Sequence, residues 1–292
     1  MTPTAIALIL VAAIAHASWN LFSKQASVTG AGSFIWLMSA AAAVIYAPAV
    51  AVSVLVEQPR LTGLCWMFLA GTGVLQAGYF LFLQNGYRLG DLSLVYPIGR
   101  GTGALLAALA GIVAFGERPG AVAVAGIACI VGGIVVIGIP GRTRDRAPRV
   151  PAAVSATMFA LITGAFIASY TLWDKYAVTA LRTPPLLQGY AAFPIMALLF
   201  APQVHRARDR TAGVWRDYRP QILGAAVLGP LAYILVLIAL SFTAVSAVAP
   251  AREVSVLFGV LLGRRLLGEG RLARRLLAAA AIVTGIVAIA VG

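Results

Sequence analysis

Two arginines, Arg100 and Arg252, lie well inside long apolar stretches of the sequence. If these stretches are membrane-spanning helices, each guanidinium group lies roughly 12 Å from a membrane face, because an α-helix rises about 1.5 Å per residue. A charge exposed to lipid at that depth costs about 2.5–3.5 kcal/mol on insertion scales, so it normally faces a bundle interior or a water-filled cavity. Both residues are therefore candidates for contact with a ligand.

A guanidinium group forms paired hydrogen bonds with a carboxylate or a phosphate. We therefore identify Arg100 and Arg252 as candidate substrate-binding residues for compounds that carry such a group. A structural alternative stays open, because Glu253 lies deep in the same stretch as Arg252 and could neutralise one of the arginines. Glu253 is included in the candidate site for this reason.

A polar and aromatic stripe occurs in the first apolar stretch. His16 and Asn20 are four residues apart and share a helix face, with Trp19 on nearly the same side. A histidine exchanges a proton near neutral pH, so His16 is a candidate for coupling transport to a proton. The alternative is that these residues only form hydrogen bonds between helices, which is the commoner use of polar residues in membranes.

A second set of residues could line a cavity. It combines polar and aromatic side chains, as sites for small organic molecules do. Its members are Gln76 and Tyr79 on one face of the third apolar stretch, Tyr96 one turn before Arg100, and Tyr170 and Tyr233 in the second half of the chain. The alternative for such aromatic residues is a position facing lipid or the membrane interface.

Other kinds of site are not indicated. The nine acidic residues are scattered, and the two cysteines lie in apolar runs, so we predict no catalytic residue, cofactor or metal site. The net charge of +13 comes from basic residues between apolar stretches, which argues against nucleic-acid binding. An integral membrane enzyme acting on a lipid-linked substrate is kept as the alternative function, and a passive channel is a further rival.

The elements that must position these residues follow from the composition. Of 292 residues, 61% are hydrophobic and 11% are charged, against about half and about one quarter in soluble domains. The sequence therefore predicts an all-α integral membrane protein with ten transmembrane helices. The predicted spans are 4–22, 32–55, 62–83, 92–115, 120–139, 152–173, 185–203, 221–241, 245–267 and 273–291.

The chain divides into two similar halves. Residues 1–140 and 151–292 each hold five predicted spans, and residues 141–150 form a basic connector. A shift of 152 superposes Arg100 on Arg252, while shifts of 151 and 154 superpose Lys24 on Lys175 and Tyr79 on Tyr233. An odd number of spans per half gives the two copies opposite orientations in the membrane.

Prolines precede both arginines. Pro97 and Pro250 each remove a backbone donor, so we expect both spans to be broken or kinked and treat the two prolines as hinge candidates. Broken spans at matching positions of inverted halves indicate a substrate site near the midplane. The alternative is that proline is simply common in membrane helices.

The chain resembles an EamA-type member of the drug/metabolite transporter superfamily over essentially its whole length. The resemblance rests on short motifs: His16-Ala17-Ser18-Trp19-Asn20 with Lys24, Val95-Tyr96-Pro97-Ile98-Gly99-Arg100, Phe115-Gly116-Glu117, Ala249-Pro250-Ala251-Arg252-Glu253 and Leu267-Gly268-Glu269. It implies two inverted five-helix EamA repeats and a carrier, often an exporter, of small metabolites such as amino acids. The chain has no acid before Glu57, unlike the small multidrug members of the superfamily, which disfavours cationic-drug exchange of their type.

The expected setting is the bacterial inner membrane, crossed many times. Outside Arg100 and Arg252, 16 of the 20 basic residues fall on odd-numbered connections, so the positive-inside rule predicts both termini outside. The expected partners are a small-molecule substrate and the lipid bilayer, and a homodimer is left open.

Overall fold

A computed structural model describes residues 3–27, 31–115, 120–138, 150–242, 254–267 and 272–291. Within these residues the chain is almost entirely helical, which confirms the all-α class. The helices of the first half are α1 (Pro3–Ala26), α2 (Ala31–Glu57), α3 (Gly63–Leu89), α4 (Leu92–Phe115) and α5 (Ala121–Gly138). Those of the second half are α6 (Val150–Thr179), α7 (Pro185–Arg206), α8 (Arg208–Phe242), α9 (Val254–Leu267) and α10 (Leu272–Val291).

Six of the described helices, α1, α2, α3, α6, α7 and α8, contain segments long and apolar enough to cross a membrane. Two shorter apolar segments, 124–133 and 276–285, lie in α5 and α10. In an α-helix the backbone N–H and C=O groups bond to each other, which is necessary in a membrane because hydrocarbon offers them no hydrogen-bond partner. Ten crossings remain a prediction.

Several helices extend beyond the predicted spans. α1, α3 and α6 continue to Ala26, Leu89 and Thr179, past predicted ends at residues 22, 83 and 173. The spans were ended where charged residues begin, and a charged residue does not end a helix. For the same reason, the stretch between the predicted spans 185–203 and 221–241 is largely helical, with non-helical backbone at Tyr218 (φ −126°, ψ 22°).

The halves pack mainly against each other. α1 packs on α8 as α6 packs on α3, and α2 packs on α8 as α7 packs on α3. α4 packs on α6 as α9 packs on α1. Three further pairs join a helix to its own counterpart five helices later, namely α2 to α7, α4 to α9 and α5 to α10. This pattern maps onto itself when the halves are exchanged, so the two repeats are related by an approximate twofold axis.

The direction of the paired helices fixes the kind of axis. In the α2–α7 pair, Gly32 lies against Gln203, and the Tyr190 hydroxyl donates to the Ala43 carbonyl oxygen at 3.2 Å. The two helices are therefore antiparallel, and α5 and α10 are antiparallel by the same reasoning from contacts at Gly133 and Gly285. A helix antiparallel to its own counterpart requires an axis perpendicular to the helices, which reverses one repeat relative to the other.

The expected break at Pro97 is absent. α4 is one helix from Leu92 to Phe115, with Pro97 as its sixth residue. At this position the proline removes one hydrogen bond near the beginning of the helix, and the remaining turns continue. Pro250 lies outside the described residues, as do residues 141–149 of the predicted connector.

Candidate functional site

Six of the predicted site residues form one continuous chain of ring contacts, which we call the aromatic column. It contains His16, Trp19, Tyr79, Tyr96, Tyr170 and Tyr233. Ring centroids are 6.1 Å apart from Tyr96 to His16, 5.5 Å from His16 to Trp19 and 6.5 Å from Trp19 to Tyr79. The column then continues from Tyr79 to Tyr170 at 5.5 Å and from Tyr170 to Tyr233 at 5.8 Å.

The aromatic column crosses from one repeat to the other. Its residues lie on α1, α3 and α4 of the first repeat and on α6 and α8 of the second. The shifts of 151 and 154 that relate the halves superpose Trp19 on Tyr170 and Tyr79 on Tyr233. The contact of Trp19 with Tyr79 therefore matches that of Tyr170 with Tyr233. The contact between Tyr79 and Tyr170 joins these two matching pairs and crosses from the first repeat to the second.

Both ends of the aromatic column are held by hydrogen bonds. At one end the Tyr96 hydroxyl donates to Ser255 Oγ on α9 at 2.8 Å. At the other end the Tyr233 hydroxyl donates to Asp174 Oδ2 on α6 at 2.5 Å. Trp19 Nε1 also donates to His16 Nδ1 at 3.3 Å, which fixes the relative orientation of two column rings.

Asp174 is the centre of a buried polar cluster that the sequence analysis missed. Its carboxylate is 1% exposed and also accepts hydrogen bonds from Thr72 Oγ1 at 3.0 Å and Gln188 Nε2 at 2.8 Å. Gln76 Nε2 donates to Thr72 Oγ1 at 3.3 Å, so this predicted site residue joins the cluster through Thr72. The cluster, consisting of Asp174, Thr72, Gln76, Gln188 and Tyr233, connects α3, α6, α7 and α8.

Asp174 was not predicted to be buried, because the sixth span was expected to end at Trp173 and the charges that follow it were interpreted as markers of the membrane face. The signal available in the sequence was spacing. Asp174 follows Tyr170 by four residues and therefore shares its helix face. Burial of Tyr170 would have implied burial of the acid.

Asn20 lies in a different network, between α1 and α3. Its amide nitrogen donates to the His16 carbonyl oxygen at 2.7 Å, and its side-chain oxygen accepts from the Tyr87 hydroxyl at 2.5 Å. One turn further on, Ser23 Oγ donates to Gln84 Oε1 at 2.7 Å. Asn20 therefore forms hydrogen bonds within and between helices, as the alternative to a binding role predicts, because both polar atoms of its amide bond to other residues of the protein.

Arg100 is buried, with 2% of its surface exposed. It lies one turn after Tyr96 and on the same face of α4. Tyr96 contacts His16 on α1 and Ser255 on α9, so this face of α4 points towards those two helices. The guanidinium group therefore lies in the protein interior and close to one end of the aromatic column. The other two members of the predicted charged set, Arg252 and Glu253, lie outside the described residues.

A groove of about 630 Å³ opens elsewhere, between α2 and α8. Its lining is almost wholly apolar and includes Leu37, Val44 and Trp215. None of the predicted site residues lines it. A groove of this composition on the outside of the bundle is suited to lipid chains, and we do not assign the substrate to it.

Comparison with known families identifies the class of the protein. The EamA-like transporter family matches the chain twice, over residues 3–139 and 154–291. The two matches together cover most of the sequence, so the chain belongs to the EamA-like transporter family. It is accordingly a multi-pass membrane protein of the drug/metabolite transporter type, built from two EamA repeats.

Comparison with solved structures supports the fold alone. Fifteen solved chains match this one. One of them, described only as "Crystal structure of protein", has a TM-score of 0.61 and 17% sequence identity over 98% of both chains. A search of curated proteins finds no match. The substrate must therefore be argued from the residues of this chain.

Proposed function

We propose that this protein is a secondary transporter that crosses the bacterial inner membrane ten times as two inverted repeats. It moves small organic metabolites by alternating access. The observation that carries the proposal is the aromatic column, which lies where the two repeats meet. When one repeat rocks against the other, a site at their interface is exposed first to one side of the membrane and then to the other.

The proposed substrates carry a carboxylate or a phosphate, and amino acids are the first class to test. Arg100 supports this choice, because it places a permanent positive charge in the interior beside Tyr96. Tyrosine and tryptophan rings supply apolar surface together with a few polar groups, which suits a small organic molecule. Arg252 is proposed as the second anion-binding residue, and Pro97 and Pro250 as hinges.

Export is the proposed direction, on the strength of the family resemblance. Both termini are proposed to lie outside the cell, as the distribution of basic residues indicates. Labelling of a cysteine added at the C-terminus with a membrane-impermeant thiol reagent in intact cells tests this orientation. Absence of labelling in intact cells, with labelling after lysis, would place the C-terminus in the cytoplasm.

Counterflow in proteoliposomes tests the transport function. The purified full chain is reconstituted, loaded with one unlabelled amino acid or organic acid at a time, and supplied with the same compound in radiolabelled form. A carrier exchanges internal for external substrate and saturates, whereas a channel does neither. Saturable exchange of at least one compound is expected. Non-saturable flux would favour a channel, and conversion of a lipid-linked substrate would favour the enzyme alternative.

Replacement of Arg100 tests the anion-binding role. Loss of hydrogen bonds to a charged group costs about 1.5–3 kcal/mol, so Arg100→Ala is expected to weaken the apparent affinity in counterflow about 10- to 100-fold. Arg216→Ala is the matched control, because the Arg216 side chain is 82% exposed, and it is expected to keep wild-type affinity. Aggregation of Arg100→Ala in detergent, instead of a monodisperse protein that binds weakly, would indicate a structural role.

A further inference from the structure

Asp174 is a buried acid whose hydrogen-bond donors are all uncharged. They are a threonine hydroxyl, a glutamine amide and a tyrosine hydroxyl, from Thr72, Gln188 and Tyr233. Within the described part of the chain, no basic side chain forms an ion pair with Asp174. An ionised carboxylate in an apolar interior is strongly disfavoured without a compensating positive charge. Asp174 therefore lacks the neutralising partner that a purely structural buried carboxylate needs.

Gln188 carries a second unusual feature in the same place. It is fully buried, and its amide nitrogen donates to Asp174 Oδ1. Its amide oxygen, Oε1, has no hydrogen-bond partner among the described residues. When Asp174 is protonated, rotation of the Gln188 amide by half a turn lets Oε1 accept a hydrogen bond from the carboxyl group, and Nε2 then takes the place of the unpartnered oxygen. The cluster can thus accommodate Asp174 in either protonation state.

The hydrogen bonds of Asp174 join the two repeats. Thr72 lies on α3 of the first repeat, whereas Gln188 and Tyr233 lie on α7 and α8 of the second. A carboxylate only accepts hydrogen bonds, but a protonated carboxyl group also donates one. Protonation of Asp174 therefore changes which groups on α3, α7 and α8 its carboxyl group can bind. Because α3 belongs to the first repeat, protonation also changes the contact between the two repeats, which move against each other during transport.

We propose that Asp174 binds the proton through which a pH gradient drives transport. The inference rests on the proposed transport function and names its coupling ion. Asp174 takes a proton from water on one side of the membrane, which forms one O–H bond and removes one negative charge. It returns the proton to water on the other side after the repeats have rocked. No electron is transferred and no other reactant is needed.

One of the groups that can titrate or carry charge on these helices contacts the Asp174 carboxylate. α7 contributes the neutral Gln188 at the contact. On α6 itself and on the helices packed against it, the groups of this kind are Tyr170, Lys175 and Tyr176 on α6, Cys65, Tyr79, Tyr87 and Arg88 on α3, Tyr96 and Arg100 on α4, Tyr190, His205 and Arg206 on α7, and Arg208, Asp209, Arg210, Arg216, Asp217, Tyr218, Arg219 and Tyr233 on α8. Lys175 and Tyr176 are exposed, and only Tyr233 bonds to the carboxylate directly. His16 lies at the opposite end of the aromatic column.

The position of Asp174 suits proton exchange with water. It lies five residues before Thr179, the last residue of α6, and so about 8 Å from the helix end at about 1.5 Å per residue. The shift of 151 superposes it on Ser23, which cannot ionise in this way. The proton site is therefore a property of the second repeat alone.

A pH gradient across proteoliposomes tests the coupling. The variant Asp174→Asn keeps the shape of the side chain and cannot release a proton, and Asp174→Ser copies the first repeat. With a counterflow substrate, wild-type protein is expected to accumulate the labelled compound several-fold when a pH gradient is imposed. Asp174→Asn and Asp174→Ser are expected to lose this accumulation while they still exchange substrate in counterflow.

Two further variants complete this experiment. The control is Asp217→Asn, which removes a carboxylate that is 59% exposed and is expected to leave accumulation unchanged. His16→Gln tests the rival proton site, and because His16 belongs to the aromatic column its accumulation is compared with its own counterflow rate; that ratio is expected to keep its dependence on the pH gradient. Accumulation by Asp174→Asn equal to wild type, loss only in His16→Gln, or accumulation driven by a sodium gradient at equal pH would each overturn the proposal. Absence of counterflow with every compound would instead overturn the proposed transport function.

Infrared difference spectroscopy gives a test that needs no substrate. The full chain in detergent is titrated from about pH 4 to about pH 9, around the range in which carboxyl groups and histidines ionise. A carboxylic-acid band that disappears with rising pH is expected in the wild type and in Asp217→Asn, and part of it is expected to be missing in Asp174→Asn. Identical titrations of wild type and Asp174→Asn would show that Asp174 keeps one protonation state, which overturns the proposal.

Discussion

At the scale of single residues, similar polar side chains have different roles according to which helix they face. His16, Trp19 and Asn20 are close together on α1, but only His16 and Trp19 belong to the aromatic column. The side-chain oxygen of Asn20 instead accepts a hydrogen bond from Tyr87 on α3. Spacing in the sequence predicted a common face for the three residues. It could not predict which neighbouring helix each would contact, because that depends on how the helices pack.

Tyr87→Phe tests whether the Asn20 network only stabilises the fold. The change leaves the buried side-chain oxygen of Asn20 without its donor, and such bonds in membranes contribute about 0.6–1.7 kcal/mol. We expect the free energy of unfolding to fall by about that amount, measured by thermal unfolding in detergent, while the apparent affinity in counterflow is unchanged. Tyr176→Phe is the control, because Tyr176 is 50% exposed. Weaker substrate affinity at full stability would instead move Asn20 into the binding site.

At the scale of helices, the sequence predicted the helical class and the order of the described helices better than their ends. Span ends were taken from charged residues, yet α6 continues for five residues beyond Asp174. The error also hid the polar cluster, because an acid expected at the membrane face is instead buried between four helices. Pro97 was expected to break or kink α4, and α4 continues through it unbroken, because a proline near the start of a helix removes one hydrogen bond and leaves the later turns intact.

Glycines set the closest approach between helices. A Cβ atom added at Gly133 on α5 would lie 2.6 Å from Ile282 Cγ1 and 2.8 Å from the Ala278 carbonyl oxygen on α10. Nothing lies within 4 Å of the same position at the neighbouring Gly132. The two residues therefore form a matched pair, in which one packs against a partner helix and the other faces outward.

We expect Gly133→Ala to destabilise the protein by about 1–3 kcal/mol, because the methyl group has no space between α5 and α10. Gly132→Ala is expected to be neutral or to stabilise the helix by up to about 1 kcal/mol, since alanine has less backbone freedom to lose. Thermal unfolding of both variants in detergent measures the difference. Equal stability of the two variants would contradict the close packing of α5 on α10.

At the scale of the whole molecule, the repeat predicted the relation between the halves but not their contacts. Five spans per half implied that one copy is reversed, and the antiparallel α2–α7 and α5–α10 pairs agree with this. The pairing of α1 with α8 and of α3 with α6 could not be predicted. In a membrane, the lipid-facing and protein-facing sides of a helix are both apolar, so hydrophobic periodicity does not mark the contact face.

The central claim is that substrate passes through the aromatic column between the repeats. A single cysteine at position 79, introduced as Tyr79→Cys with Cys65→Ser and Cys129→Ser, tests it by labelling with a membrane-impermeant thiol reagent. Tyr79 is 4% exposed and contacts Trp19 of the first repeat and Tyr170 of the second. We expect labelling in right-side-out and in inside-out vesicles, with protection by the counterflow substrate in both. Labelling from neither side, or labelling that substrate does not reduce, would contradict it.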